Sequence, residues 1–240
     1  MAEETALARD IIGAYEQGRS DRGTFEAHWQ QVTRYFLPDR ADYTTERSPG
    51  VKRQQYVYNG TPNLVLEMLS SGLHGLLCSP YLQWKFIECE DDWINQRDDA
   101  LTWFAAADAA MDRVFARGDA GFAVATHEFL LDTTSIGTGC MAMPLDEANG
   151  VRFSCYSMKD TVIEEGAKGQ IDTVYRKYRF TARQAVDQWG DAAPGKVKEA
   201  LANDPRKKFA FIHAARPRKI RDPARAMEAK HMPVESVTVC

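Results

Sequence analysis

The chain has 240 residues, 44% of them hydrophobic and 27% charged, with five Trp, nine Tyr and eleven Phe, which excludes a chain that is disordered throughout. Its formal net charge of -4 lacks the basic surplus of a protein that grips nucleic acid by neutralising phosphates, so any DNA contact is expected to be local or non-adhesive. The opening Met-Ala-Glu-Glu-Thr has no apolar run of the signal-peptide kind, and the longest uncharged stretch, between Glu67 and Lys85, contains Gly72, His74, Gly75 and Pro80 and is too short to span a bilayer.

In chain order, Leu7, Ile11 and Tyr15 fall on one helical face, with a break expected at Gly18 to Ser20. Phe25, Trp29, Val32 and Phe36 mark a second helix from near Thr24, closed by Pro38. Residues 39–55 are polar and basic, with Pro49-Gly50 as a turn signal, and read as a loop. Thr61-Pro62 reads as a hydroxyl cap with proline at the first helical position. The helix it opens carries Leu64, Leu66, Met68, Leu69, Leu73 and Leu77, stops at Ser79-Pro80, and is expected to be deeply buried because it is apolar on most faces. Trp29, Leu66, Leu69, Leu73 and Phe104 are the expected core.

Trp84 to Cys89 is strand-like. A long amphipathic helix through Ile94, Leu101, Phe104, Met111, Val114 and Phe115 follows, stopping near Gly118, and a further helix with Phe122, Phe129 and Leu130 ends around Gly137. From Cys140 the period changes to two. Cys140 to Leu145 and Val151 to Ser157 predict a hairpin over a turn of residues 146–150, with Leu145 opposite Val151 and Cys155 facing Met141. Cys140 then points to the other sheet face, which forbids a disulfide with Cys155. A strand pair is expected to flank Gly166 to Gly169. Thr181-Ala182-Arg183-Gln184 is a capping box for a short helix ending at Trp189-Gly190, followed by a helix over Gly195 to Ala202 and a strand over Lys208 to Ala215. Val234 to Cys240 is strand-like to its last residue, from which we expect the natural chain to continue and this strand to lack a downstream partner. The pattern predicts an α+β fold, helical in its first half and β-rich with short helices in its second, divided as residues 1–137 and 138–240.

The chemistry-bearing residues are scattered. His28 and His74 lie in helical patterns beside large apolar groups and read as packed, and His127-Glu128 is not followed by a second His at zinc-hydrolase spacing. Cys140, behind Gly137-Thr138-Gly139, is the one candidate for a cysteine nucleophile, but its neighbours Met141 and Met143 read as core. The same glycines lack the third Gly and following helix of a dinucleotide loop. Asp91-Asp92 and Asp98-Asp99 read as carboxylates at a helix start. The basic run Arg216 to Arg221 has two readings, a contact with phosphate or an acidic neighbour and, the favoured one, a solvated loop. Cys78, Cys89, Cys140, Cys155 and Cys240 are odd in number and widely spaced, as for reduced cytosolic thiols. No catalytic, cofactor-binding or metal-ligating residue is assigned, no cofactor is implied, and no nucleic-acid contact is placed on a residue.

Several phrases, in order along the chain, carry a resemblance. They are Trp29 to Arg40, Val57 to Thr61, Leu69 to Pro80 with Trp84, Ile136 to Gly139, Val174 to Arg176, Phe180 to Gln184 with Trp189-Gly190, and Ile212 to Arg218. Together they resemble the portal, or head-to-tail connector, proteins of short-tailed bacteriophages. Asn59, where the family commonly has Asp, and Lys85, which separates Trp84 from Phe86, depart from its pattern. The resemblance implies the amino-terminal, wing-like part of a longer subunit, with stem, clip and crown beyond Cys240. It implies a dodecameric ring of identical subunits at one capsid vertex, through which DNA is packaged and ejected without sequence-specific binding. Capsid, scaffold, terminase and tail proteins would be its partners, ATP hydrolysis would belong to the terminase, and no membrane is involved. The protein would sit in the virion, after a stage in the host cytoplasm. The 240-residue chain alone is expected to form no stable closed ring. The rival expectations are a stand-alone phage adaptor using the same module and a Cys-dependent hydrolase using Cys140.

Overall fold

The computed structural model describes residues 2–45, 48, 50–54, 57–79, 82–146, 150–218, 220–225 and 227–240. The chain forms two compact units, one from Met1–Phe25 with Lys159–Cys240 and the other from Glu26–Met158.

The first unit is built on an antiparallel sheet. Its strands β5 (Thr161–Glu165), β6 (Ile171–Thr181), β7 (Lys208–Pro217) and β8 (Val234–Val239) lie in that order. Helix α1 (Ala2–Asp21) packs on it as its spacing predicts, with Ile11 and Tyr15 buried against Val162, Tyr175, Ile212 and Ala214. Fully burying side chains of this size is worth about 1.5–3 kcal/mol each. Gly18 and Ser20 do not break α1. An added Cβ on Gly18 would stand 2.6 Å from Val162 Cγ1, so the glycine lets the helix lie close to β5. Just beyond α1, the Arg22 guanidinium donates to the Thr161 and Lys159 carbonyls, fixing the helix end to the start of β5.

Helices α6 (Ala182–Trp189) and α7 (Gly195–Asn203) bury Ala182, Ala185, Val197 and Ala200 around Phe211 of β7. The predicted capping box opens α6: Gln184 N donates to Thr181 Oγ1 at 3.3 Å, and Thr181 N donates to Gln184 Oε1 at 3.0 Å. β8 pairs with the upstream strand β7 from Ile212↔Val239 to Pro217↔Val234 and is the edge strand of the sheet, with no downstream partner among the described residues. One expectation fails here. Arg216 is not in a solvated loop: it lies on β7 and bonds Asp10 of α1 and Glu235 of β8, each at 2.7 Å. A half-buried guanidinium between two carboxylates is held by them rather than by water.

In the second unit α3 (Thr61–Leu77) packs on α5 (Phe122–Ile136), with Leu66 and Leu131 closing over Leu37. α2 (Gly23–Phe36) ends as expected before a 3-10 turn, Pro38–Arg40. α4 (Asp98–Ala116) has Asp98 and Asp99 in its first turn, while Asp91 and Asp92 lie exposed in the turn before it. Thr61 is not the cap of α3 but its first residue. The Asn59 carboxamide oxygen accepts from Thr61 N and from the Thr61 hydroxyl instead, an Asx turn that satisfies an orphan donor. Trp84 to Cys89 is extended but forms no ladder among the described residues.

Strands β1 (Cys140–Ala142) and β4 (Ser154–Tyr156) pair with Met141 opposite Cys155, and β2 (Leu145–Asp146) and β3 (Gly150–Val151) pair with Leu145 opposite Val151, the predicted register. The rest of the expected turn, 147–149, and the helix stop at Pro80 and the turn at Pro49 lie outside the described residues. Phe153 joins Ala120, Ala125, Phe115 and Phe122 in an aromatic cluster.

The largest correction concerns α3. Leu66 and Ser70 are buried, but Leu64, Val65, Met68, Leu76 and Leu77 are exposed and Leu69 is 51% exposed. Of the expected core, Leu66 holds, and Trp29, Leu73 and Phe104 are half-buried. An all-round apolar helix needs neighbours on all sides to bury it, and within the chain the stripe through Leu66 and Ser70 meets α5.

Candidate functional site

Three side-chain clusters in the second unit concentrate its polar chemistry. The first centres on Asp132, a carboxylate inside the apolar run of α5, where burial without a partner is costly. Arg40, from the turn after α2, supplies the partner: its guanidinium donates to Asp132 and reaches Glu128 Oε2 at 2.9 Å. Cys155 of β4 lies with its Sγ 3.7 Å from Asp132 Oδ2 and 3.8 Å from Arg40 Nη1. Burial pushes the Asp132 carboxyl up to about 6, with the Arg40 charge opposing, and pushes the Cys155 thiol up to about 11. A thiol so raised is protonated at neutral pH and a poor nucleophile. The cluster joins a loop, a helix and a strand, which is a structural task.

The second cluster is a stacked pair, His74 of α3 and His127 of α5, with ring centroids 6.0 Å apart. His127 Nε2 stands 3.2 Å from Glu67 Oε2. Burial, then the neighbouring His127, lowers the His74 pKa.

The third lines a half-open cleft of about 800 Å³ between the end of α3, the 82–85 segment, α4 and the start of α5. Trp84 stacks on Phe122 at 5.8 Å and on Phe115 at 5.9 Å, forming an aromatic floor. On the rim, Lys85 bonds Asp108 and, at 2.9 Å, Asp112, and Gln83 donates to Asp108 at 3.0 Å. The Lys85 hydrogen bond holds the Asp108 carboxyl below its usual range. Cys78 and His74 also line the cleft, but burial raises the thiol and lowers the imidazole. That is the reverse of the thiolate–imidazolium pair that a cysteine nucleophile needs.

The other sequence candidates do not converge. Cys140 is half-buried on β1, and the Gly139 before it packs so closely on α5 that an added Cβ would meet the Phe129 ring at 2.8 Å. Its Gly-rich approach is therefore a packing feature. His28 is exposed rather than packed, and His213 Nε2 lies 2.8 Å from Ser236 Oγ on the neighbouring strand. Among the described residues no group of three His, Cys, Asp or Glu side chains could hold a metal ion, and no helix is long and apolar enough to cross a membrane. Sequence reasoning missed Asp108 and Asp132. The signal was there: each is a carboxylate inside an apolar helical run, which calls for a cation from elsewhere in the chain.

The pattern of the family described as "Bacteriophage head to tail connecting protein" matches residues 8–240. The chain is 23% identical over 228 residues to the "Probable portal protein" of Bordetella phage BPP-1, covering 94% of this chain and 40% of that protein. It is 24% identical over 230 residues to the "Portal protein" of Salmonella phage epsilon15, covering 95% of this chain and 41% of that one. It thus spans about two fifths of the length of these relatives.

Proposed function

Because this chain belongs to the family of bacteriophage head to tail connecting proteins, we propose that it acts as part of a portal subunit, a structural element of the connector ring. The observation that carries the reading is the match of residues 8–240 to one family, which takes in both compact units. In this reading the chain supplies the wing, residues 1–137 its mainly helical part and 138–240 its β-rich part. Identical subunits close a dodecameric ring at the capsid vertex, and DNA passes through it on packaging and on ejection. Capsid, scaffold, terminase and tail proteins are its partners, and its place is the virion, after a stage in the host cytoplasm.

Two physical features support a structural role over an enzymatic one. Arg40–Asp132 and Lys85–Asp108 are ion pairs, and the Cys155 thiol beside the first is kept protonated, as in packing rather than catalysis. The net charge of -4 suits a part that does not grip the passing DNA, since each neutralised phosphate would strengthen holding of a DNA that must slide. The test is the composition of purified particles. Quantitative mass spectrometry of virions from the encoding phage or prophage is expected to find peptides of this chain at one dodecamer per particle, far below the major capsid protein. A particle lacking them, or a protein present only in infected-cell lysate, overturns the reading and favours an accessory adaptor.

A further inference from the structure

The connection between β7 and β8 is longer than it needs to be. Adjacent antiparallel strands can be joined by two to about five residues, yet residues 218–233 leave the sheet and return. The excursion is stapled on itself. Arg218 N donates to the Pro233 carbonyl at 2.9 Å and the Arg218 guanidinium to Met232 and Ala229 carbonyls. Asp222 N donates to His231 Nδ1 at 3.0 Å, and Arg225 forms a two-bond pair with Glu228. Bonds of this kind among the described residues hold part of the loop in place and lower the ordering cost of binding. It presents Ile220, 90% exposed, and Met227, 95% exposed. Around them its sequence carries five basic residues against two acidic ones.

The second unit carries the complementary surface. Between Lys85 and Asp112 the sequence has eight acidic residues and two basic ones. Among them stand the exposed apolar side chains Phe86, Trp93, Leu101 and Trp103, beside the acids Asp91 and Asp92. Exposed tryptophans amid carboxylates make a surface for a partner that is basic and apolar together, since aromatic anchors supply the energy and charges the register.

We propose that the 218–233 arm of one copy of this chain docks on the acidic, aromatic 85–112 surface of a second copy. The two patches differ, so the contact is open to a head-to-tail arrangement that propagates from copy to copy, the geometry from which rings close. The inference rests on the portal reading for its ring, but the contact itself is tested without it.

The experiment is sedimentation equilibrium of the 240-residue chain over a concentration series, at low and at high salt. Self-association is expected, weakening at least tenfold at high salt because the exposed charges are screened. One variant carries Arg221→Glu with Lys230→Glu, the other Asp91→Lys with Asp92→Lys. Each alone weakens the opposite-charge contact and is expected to associate at least tenfold more weakly than the parent. Mixed in equal amounts, they are expected to recover association, because the unaltered arm of the surface variant meets the unaltered surface of the arm variant. Recovery on mixing is what only a contact between two chains produces. Should either pair of substitutions abolish the thermal transition, Met227→Ser and Trp103→Ser, at exposed apolar positions, are expected to weaken association in its place. A parent that stays monomeric throughout, variants that associate like the parent, or a mixture without recovery each overturn the proposal. So does a monomeric parent that binds duplex DNA through Arg221 and Lys230, which assigns the arm to nucleic acid. If the protein is found in virions while the charge variants are inert, the portal reading stands and this interface falls.

Discussion

Replacing Gly18 by Ala separates two effects that local and tertiary reasoning assign opposite signs. Inside a helix the change alone favours folding by about 1 kcal/mol, because Ala loses less backbone entropy than Gly. At Gly18 the new methyl would stand 2.6 Å from Val162 Cγ1, closer than carbon atoms approach. Val162 is β-branched, 1% exposed and packed in one cluster with Ile11, Tyr15 and Tyr175, so its methyl has little room to give way. Overpacking of this kind costs about 1–3 kcal/mol, which leaves Gly18→Ala destabilising by about 1–2 kcal/mol in the worse half of that range. Gly13 is the control on the same helix: a Cβ there meets nothing within 4 Å, so Gly13→Ala is expected to stabilise by about 0.5–1 kcal/mol. Urea denaturation followed by circular dichroism measures both, with Val162→Ala and the Gly18→Ala/Val162→Ala pair completing a double-mutant cycle. The pair is expected to show a favourable coupling of about 1 kcal/mol, since the smaller side chain makes room for the methyl. If Gly18→Ala stabilises the protein as Gly13→Ala does, α1 does not lie against β5 as described and the reasoning is refuted.

Other outcomes follow from the same structure. Asp132 has its pKa raised by burial to about 6 from about 4 unfolded, so the native state holds the proton more tightly and stability falls as pH rises from about 4 to about 6, by at most about 3 kcal/mol. Melting temperatures across that window should show the fall in the parent and a flatter profile in Asp132→Asn; a parent that gains stability there from this group contradicts the burial argument. Thr181→Ala removes the hydroxyl that accepts from Gln184 N and should cost about 1 kcal/mol by chemical denaturation. Phe211→Ala, at a 1% exposed centre of the α6–α7 cluster, should cost about 3–5 kcal/mol, whereas Leu76→Ala, 79% exposed on α3, should change stability by no more than about 0.5 kcal/mol. Equal losses at the two positions would show that α3 is buried after all.

What the sequence determined by itself was local or periodic. The spacing of Leu7, Ile11 and Tyr15, the capping box at Thr181, the stop at Gly137 and the hairpin register that sets Met141 opposite Cys155 depend on neighbours a few residues away, and they appear in the structure as read. The order of phrases from Trp29 to Arg218 likewise carried the family, because a match over many positions needs no knowledge of contacts. Tertiary structure decided the rest. Whether Gly18 breaks a helix depends on Val162, which lies 144 positions along the chain, and not on its own propensity. Whether Arg216 is solvated depends on Asp10 and Glu235, and which cation answers Asp132 is settled by a turn that brings Arg40 to α5. The apolar run of α3 shows the limit most clearly. Hydrophobicity states that a surface favours burial, but only the packing of other elements determines how much of it a single chain can cover.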